Sequence, residues 1–335
     1  MPGGGSRDAA LVIQTAFLGD IVLTTPLIAH LARAGPVDVI THPAGADLLA
    51  NNPHIRRVLV YDKRGRDRGA AGFARMVRAI RAGGYGTAHH AQGSLRSAAL
   101  SRAGGIPRRV GFETSAGRSL YTERVPFDED AHHVTRLLRL AGEPPAAPPP
   151  PSLCPGETER TTVDALLAPA APGEALIALA PGSVWATKRW PYYAELAGLV
   201  AGVARPVVVG SAADRDLASA LAGATQGRAI DATGRLSLLG SAELIRRCRV
   251  LVTNDSAPLH LASAMNTPTV AIFGPTVPAF GFGPLADRSA VLGMSALVCR
   301  PCDRHGPMRC PLGHWRCMLE VTAASAFDAV RGAIG

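Results

Sequence analysis

Short runs of β-branched and aliphatic residues alternate along the chain with longer stretches in which apolar residues recur every three or four positions. In the first half ALVIQTA, VDVITH, IRRVLVYD and TAHHAQ have the strand character, and GDIVLTTPLIAHLARAG, ADLLANNP and AGFARMVRAIRAGGY lie between them. In the second half ALIALAPG, RPVVVGS, AIDATG, RVLVTND and TPTVAIFGP are separated by PYYAELAGLVAGVA, ADRDLASALAGA, LLGSAELIRRC and APLHLASAM. Strand-like runs joined by amphipathic stretches of this length predict βαβ crossovers, and therefore parallel sheets. The expected fold is α/β, with two Rossmann-like doubly wound parallel-sheet domains facing a cleft.

One segment interrupts the alternation: GEPPAAPPPPSLCPGETER, residues 142–160. Proline at this density is excluded from helix interiors and central strands and forms a semi-rigid extended spacer. The predicted organisation is a first domain over 1–145, a linker over 146–160 and a second domain over 161–335. A length of 335 residues also suggests two domains.

Composition is that of an ordinary globular protein, with 47% hydrophobic and 18% charged residues. No apolar run is long enough to span a bilayer. The opening MPGGGSRDAA lacks the basic-then-apolar order of a secretory signal and reads as a short disordered lead-in, so a cytoplasmic location is expected. Net charge is +9 and concentrated in the first half: residues 1–150 hold 19 Lys and Arg against 12 Asp and Glu. That half either faces something anionic or simply reflects an arginine-rich composition, since only Lys63 and Lys188 are lysines. An aromatic content of 5% leaves few platforms for stacking bases, which argues against nucleic acid.

Open α/β sheets bind ligands beyond the carboxyl ends of their strands, which singles out three loops. In QTAFLGDIVLTTP, Asp20 near the helix start either caps the helix or serves as a general base. No G-x-G-x-x-G follows the strand, which counts against a dinucleotide domain. In LAPGSVWATKRWPYYAEL, Ser183 follows a strand and Lys188 opens the next helix, with Pro191 in its first turn. A cation at a helix start is unfavourable unless an anion is near, so Lys188 points to anion binding. In NDSAPLH, Asp255 or Ser256 caps a helix whose first turn holds Pro258. The amides of Ser256 and Ala257 then form an anion pocket, with His260 one turn in. Asp255 beside such a pocket accepts hydrogen bonds from hydroxyls or amides.

VLVTNDSAPLHLASAMNTPTVAIFGPT, APGSVWATKRWP and IQTAFLGDIVLTTPLIAHL, in this order, strongly resemble glycosyltransferase family 9, the ADP-heptose:lipopolysaccharide heptosyltransferases. DKRGRDRG, AQGSLRSA and RRVGF sit where that family has similar basic and glycine-rich segments. The resemblance implies a GT-B architecture, the first domain binding acceptor and the second the nucleotide-sugar. It also implies inverting transfer with ADP as leaving group and Asp20 as the base. Lys188 and Ser183, with the amides at Ser256 and Ala257, would hold the diphosphate. Asp255 and His260 would contact sugar or phosphates, and Asp214 would reach the ribose. Asp214 and Asp216 mimic the metal-binding D-x-D of other glycosyltransferases, but they open a helix, where acids suit the dipole, so no catalytic metal is assigned. The implied acceptor is the anionic core of lipopolysaccharide at the inner membrane surface, with Lys63, Arg64, Arg66, Arg68 and Arg96 as its candidate contacts. Ala257 departs from the family's usual glycine. The alternatives are a GT-B-type sugar-nucleotide epimerase and a non-enzymatic anion-binding module.

The tail CRPCDRHGPMRCPLGHWRCM places Cys299, Cys302, Cys310 and Cys317 near His305 and His314. It holds enough ligands for structural zinc, which ranks behind reduced structural thiols because the later spacings match no familiar finger. The implied chemistry requires no cofactor.

Overall fold

The computed structural model describes residues 9–334. Residues 1–8 of the expected disordered lead-in lie outside the described residues, and Ala10 already begins the first strand. The chain divides into two compact units, Met1–Cys154 and Pro155–Gly335.

The first unit runs β1 (Ala10–Ile13), α1 (Leu18–Leu31), β2 (Val37–Thr41), α2 (Pro43–Leu48), β3 (Arg57–Val60), α3 (Gly69–Gly83), β4 (Thr87–His90), α4 (Leu95–Ala103), β5 (Arg108–Phe112), β6 (Glu123–Val125) and α5 (His133–Arg139). Its six strands form one sheet in the order β3-β2-β1-β4-β5-β6. Every pairing is parallel; Ile13 on β1 lies opposite Ile40 on one side and His90 on the other. Leu11, Ile13, Ile40, Ala88 and Leu100 pack with Met76 and Ile80 of α3 into a core. Burial on both faces explains why β1 reads as a continuous apolar run, and why the one charge on β2, Asp38, is paired with Arg56 and Arg57.

The second unit runs α6 (Glu157–Leu167), β7 (Leu176–Ala180), α7 (Tyr193–Ala201), β8 (Arg205–Val208), α8 (Arg215–Ala224), β9 (Ile230–Asp231), α9 (Leu238–Arg247), β10 (Val250–Asn254), α10 (Ala257–Met265), β11 (Thr269–Ile272), β12 (Ser289–Leu292), α11 (Arg316–Leu319) and α12 (Ala323–Ile334). Its sheet order is β12-β11-β10-β7-β8-β9, again wholly parallel. The two sheets share one topology. The first strand lies near the middle, the chain winds outward to one edge, then returns to wind outward to the other. Order reverses between β1 and β4 in one unit and between β7 and β10 in the other, which are the crevices where doubly wound sheets receive ligands.

The fold class is the expected α/β with two doubly wound sheets. The expected linker is shorter at its C-terminal end: α6 starts at Glu157, so residues 157–160 are helical. Gly156 is the N-cap, and its N–H donates to Glu159 Oε2 at 2.7 Å, which closes the first turn. Among the described residues no helix is long and apolar enough to cross a membrane.

Candidate functional site

In the first unit, β1 delivers Gln14–Phe17 to the reversal point. Phe17 is the N-cap of α1, so Asp20 is the third helical residue; the helix begins two residues ahead of the expected start. Asp20 Oδ2 accepts the Phe17 N–H at 3.2 Å. The side chain expected either to cap or to act as a base does cap, and only one oxygen is used for it. Oδ1 lies 3.6 Å from Nε2 of His133 on α5, with the two side chains 17% and 12% exposed. Burial pushes the Asp20 carboxyl up to about 6, against the opposing pull of the Phe17 N–H. Such a carboxylate is ionised at neutral pH and a stronger base than a solvated aspartate.

The loop after β3 brings Lys63 to the same place. Its Nζ donates to Thr15 Oγ1 at 3.2 Å and to Thr15 O at 3.4 Å. Burial, with Arg64 and Arg96 nearby, holds this ammonium below the usual lysine range. Gln92, beyond β4, also donates to Thr15 Oγ1, at 2.9 Å. His42 accepts the Gly45 N–H on Nδ1, so Nε2 carries the proton given to Ala16 O at 3.1 Å. Arg64, Arg66 and Arg68 are exposed on a loop shaped by Asp62, which accepts the Gly65 and Arg66 N–H groups. Arg96 is engaged within the unit: Nε donates to Tyr61 OH at 2.5 Å, Nη2 to Gly69 O at 3.1 Å, and the guanidinium lies over the Tyr61 and Phe73 rings.

In the second unit, β7 leads into Pro181–Ser183 and then a single 3₁₀ turn, Ala186–Lys188. Lys188 therefore does not open the next helix, and Pro191 is not in its first turn; α7 starts at Tyr193. The backbone stays extended at Arg189, and the Trp190 N–H goes to Asn254 Oδ1 at 3.3 Å rather than into a helix. Lys188 turns inward and donates from Nζ to Asp255 Oδ2 at 2.6 Å, the side chains being 9% and 12% exposed. Thr276 Oγ1, beyond β11, donates to the same oxygen at 2.6 Å.

Asp255 is thus occupied away from the helix, and Ser256 is the N-cap of α10. The Ser256 hydroxyl faces Asn254 O and Thr253 Oγ1, so no side chain caps the first turn. Ala257 is the first helical residue, and Pro258 follows within the first turn as expected. His260 is buried, edge-on to the Phe282 ring at 6.2 Å. Asn254 holds the two reversal-point loops together, donating from Nδ2 to Pro181 O at 2.9 Å.

Ser183 Oγ accepts the Trp185 N–H at 3.3 Å. Asp214 ends a short 3₁₀ turn ahead of α8 and accepts both the N–H and the hydroxyl of Ser211 at 2.8 Å. A Cβ at Gly182 would collide with the Asp214 carboxylate, which is how closely the loops after β7 and β8 approach. Ser183, Lys188, Asp255, Ser256, Ala257 and His260 therefore gather at the β7–β10 reversal, with Asp214 at its flank.

The cysteine tail lies against this site. Thr187 donates to Pro307 O, the His305 ring stacks on Trp185, and a Cβ at Gly306 would press on Lys188 Cε. Arg300 donates to Phe273 O and Thr276 O at 2.8 and 3.0 Å. Cys299 Sγ is 3.7 Å from His314 Nε2, while Cys317 is buried in the core of the unit with Met318. Among the described residues no group of three or more His, Cys, Asp or Glu side chains is placed to hold a metal ion.

Missing from the sequence-derived set are His133, Thr15, Asn254 and Thr276. Asn254 opens NDSAPLH and Thr276 closes the longer motif around it, and their strand-end positions could have flagged them; His133 meets Asp20 through the packing of α5 on α1, which no local signal reveals.

A family model described as glycosyltransferase family 9 (heptosyltransferase) matches residues 73–314. Lipopolysaccharide heptosyltransferase 1 of Pseudomonas aeruginosa is 31% identical over 310 residues, covering 87% of this chain and 85% of that protein. The chain belongs to glycosyltransferase family 9. It is accordingly a glycosyltransferase of the heptosyltransferase kind. Among solved structures, Escherichia coli ADP-heptose lps heptosyltransferase II is similar with a TM-score of 0.80 at 24% identity, over 97% of this chain and 98% of that one. An E. coli heptosyltransferase with ADP-2-deoxy-2-fluoro heptose is similar with a TM-score of 0.69 at 19% identity, over 97% and 99%. These likenesses carry the fold: the two doubly wound units are those of the GT-B class shared by family 9.

Proposed function

We propose that the protein is an inverting transferase that moves heptose, or a related sugar, from an ADP-sugar to a lipopolysaccharide-core acceptor. The observation that carries this reading is the half-buried Asp20 at the β1–β4 reversal, with one oxygen fixed by the Phe17 N–H and its carboxyl pushed up to about 6. In this mechanism Asp20 takes the proton of the acceptor hydroxyl. The acceptor oxygen attacks the anomeric carbon from the face opposite the diphosphate. The bond from that carbon to the diphosphate oxygen breaks, and its electron pair leaves with ADP.

Lys188, Ser183 and the amides of Ser256 and Ala257 hold the diphosphate and stabilise the charge that develops on it, the task a metal performs in other transferases. Asp255 orients the Lys188 ammonium; His260 bounds the sugar or phosphate side, and Asp214 the ribose. Structural zinc at Cys299, Cys302, Cys310 and Cys317 stays the second reading behind reduced thiols. The similar E. coli structure with an ADP-heptose analogue supports the donor, and the name of the P. aeruginosa relative supports the acceptor. Lys63 beside Thr15, the exposed Arg64, Arg66 and Arg68, and Arg96 behind them form the acceptor side. The acceptor's lipid places the work at the inner face of the cytoplasmic membrane, as a peripheral protein, with no role for nucleic acid.

A donor screen tests this. ADP-heptose is expected to raise the melting temperature more than UDP- or GDP-sugars, and to be consumed only when acceptor is added. Conversion of the donor without acceptor would favour an epimerase instead.

A further inference from the structure

The cap on Asp20 leaves one carboxylate oxygen to be accounted for. Oδ2 is tied to the Phe17 N–H, which fixes the carboxylate plane, and Oδ1 faces the imidazole of His133 at 3.6 Å. That separation is too long for a hydrogen bond and well inside the range of an ion pair. Both side chains are largely buried where α5 packs on α1, so water screens the pair only weakly.

We propose that His133 is a positioning residue for Asp20: its imidazolium, fixed against Oδ1, keeps the carboxylate ionised and oriented toward the acceptor hydroxyl. The proposal rests on the reading of Asp20 as the base. Burial drives Asp20 toward its neutral form, and a cation 3.6 Å from Oδ1 would oppose that drive. The two groups then titrate as a pair.

Neighbouring titratable groups have partners of their own. On the α5 side, His132 accepts the Val134 N–H through Nδ1, Arg136 donates to Asp128 O and Glu129 O, and Arg139 pairs with Asp128. On α1 itself, His30 lies in the last turn, at the far end from Asp20, and interacts with Arg33. From the α2 side, His42 bonds to Ala16 O and Gly45 N–H, and from the β3 loop Lys63 bonds to Thr15.

The test compares His133→Gln with the parent over a pH series of kcat/KM, alongside Asp20→Asn. Removing the cation should move the acid limb of the profile upward by about one unit. About fivefold more activity is then lost near pH 6 than near pH 8.5, with ADP-heptose affinity unchanged. An acid limb that stays in place in His133→Gln overturns the proposal, provided Asp20→Asn is inactive. Full transfer by Asp20→Asn would instead overturn the base assignment beneath it.

The same pairing is read without turnover by titrating the His133 ring by NMR. Replacing Asp20 with Asn should lower the His133 pKa by about one unit or more. An unshifted His133 contradicts the pairing even if His133→Gln proves too unstable for kinetics.

Discussion

Lys188→Met isolates the ion pair at the centre of the second unit. The substitution keeps the length and apolar stem of the side chain and removes its charge. It leaves Asp255, 12% exposed, with one remaining donor, the Thr276 hydroxyl. Breaking a buried pair from one side typically costs about 3–5 kcal/mol, and the surviving hydroxyl places this case near the lower end, about 3 kcal/mol. Lys188→Met/Asp255→Leu removes both charges and strands only the Thr276 hydroxyl, so it should cost about 1 kcal/mol. All three tryptophans, Trp185, Trp190 and Trp315, lie in the second unit, so denaturant unfolding followed by tryptophan fluorescence reads that unit alone. ADP affinity separates the structural from the binding role. Both variants should bind ADP about tenfold to a hundredfold more weakly, because the ammonium is absent from each. A Lys188→Met protein within about 0.5 kcal/mol of the parent would refute the structural argument. So would a double variant as unstable as Lys188→Met alone. Recovery of ADP affinity in the double variant would refute the binding role.

Asp20→Asn should stabilise the first unit. The native carboxyl, at about 6 against an ordinary 3.8, binds its proton more tightly folded than unfolded, so the ionised form opposes folding. That cost is complete above about pH 6 and vanishes below about pH 4; removing it should add about 3 kcal/mol at pH 8 and nothing near pH 3.5. Unfolding at the two pH values checks this, and an equal effect at both contradicts it. Gly182→Ala forces the Asp214 carboxylate from its place against the β7 loop and should cost the second unit about 1–3 kcal/mol by the same fluorescence assay. The tail cysteines should be reduced and metal-free in purified protein; one equivalent of zinc by elemental analysis would reverse that ranking.

The central strands of both sheets were legible because β1, β2, β7, β10 and β11 are covered on both faces and read as short runs dominated by β-branched and aliphatic residues. The outer strands β5 and β6 of the first sheet and the edge strand β12 of the second were not. Arg108 and Arg109 on β5 and Glu123 and Arg124 on β6 put charge into these short strands, and that charge hides their strand character. The three strand-end loops were legible because the reversal points follow from the topology, and the structure places all three at those points. Lys188 was placed on the wrong element because a proline three residues later suggests a helix start. The side chain that explains its position, Asp255, lies on a different strand end. His133 was invisible for the same reason. Its significance comes from the packing of two helices distant in sequence, and nothing around HHV hints at Asp20.

The most direct test is the rate of sugar transfer by Asp20→Asn, measured with ADP-heptose and a lipopolysaccharide-core acceptor at pH 8. A general base contributes about a hundredfold to ten-thousandfold, so transfer should fall by about a thousandfold while ADP-heptose binding stays at the parental level. Transfer at near the parental rate would contradict the assignment of Asp20 as the base.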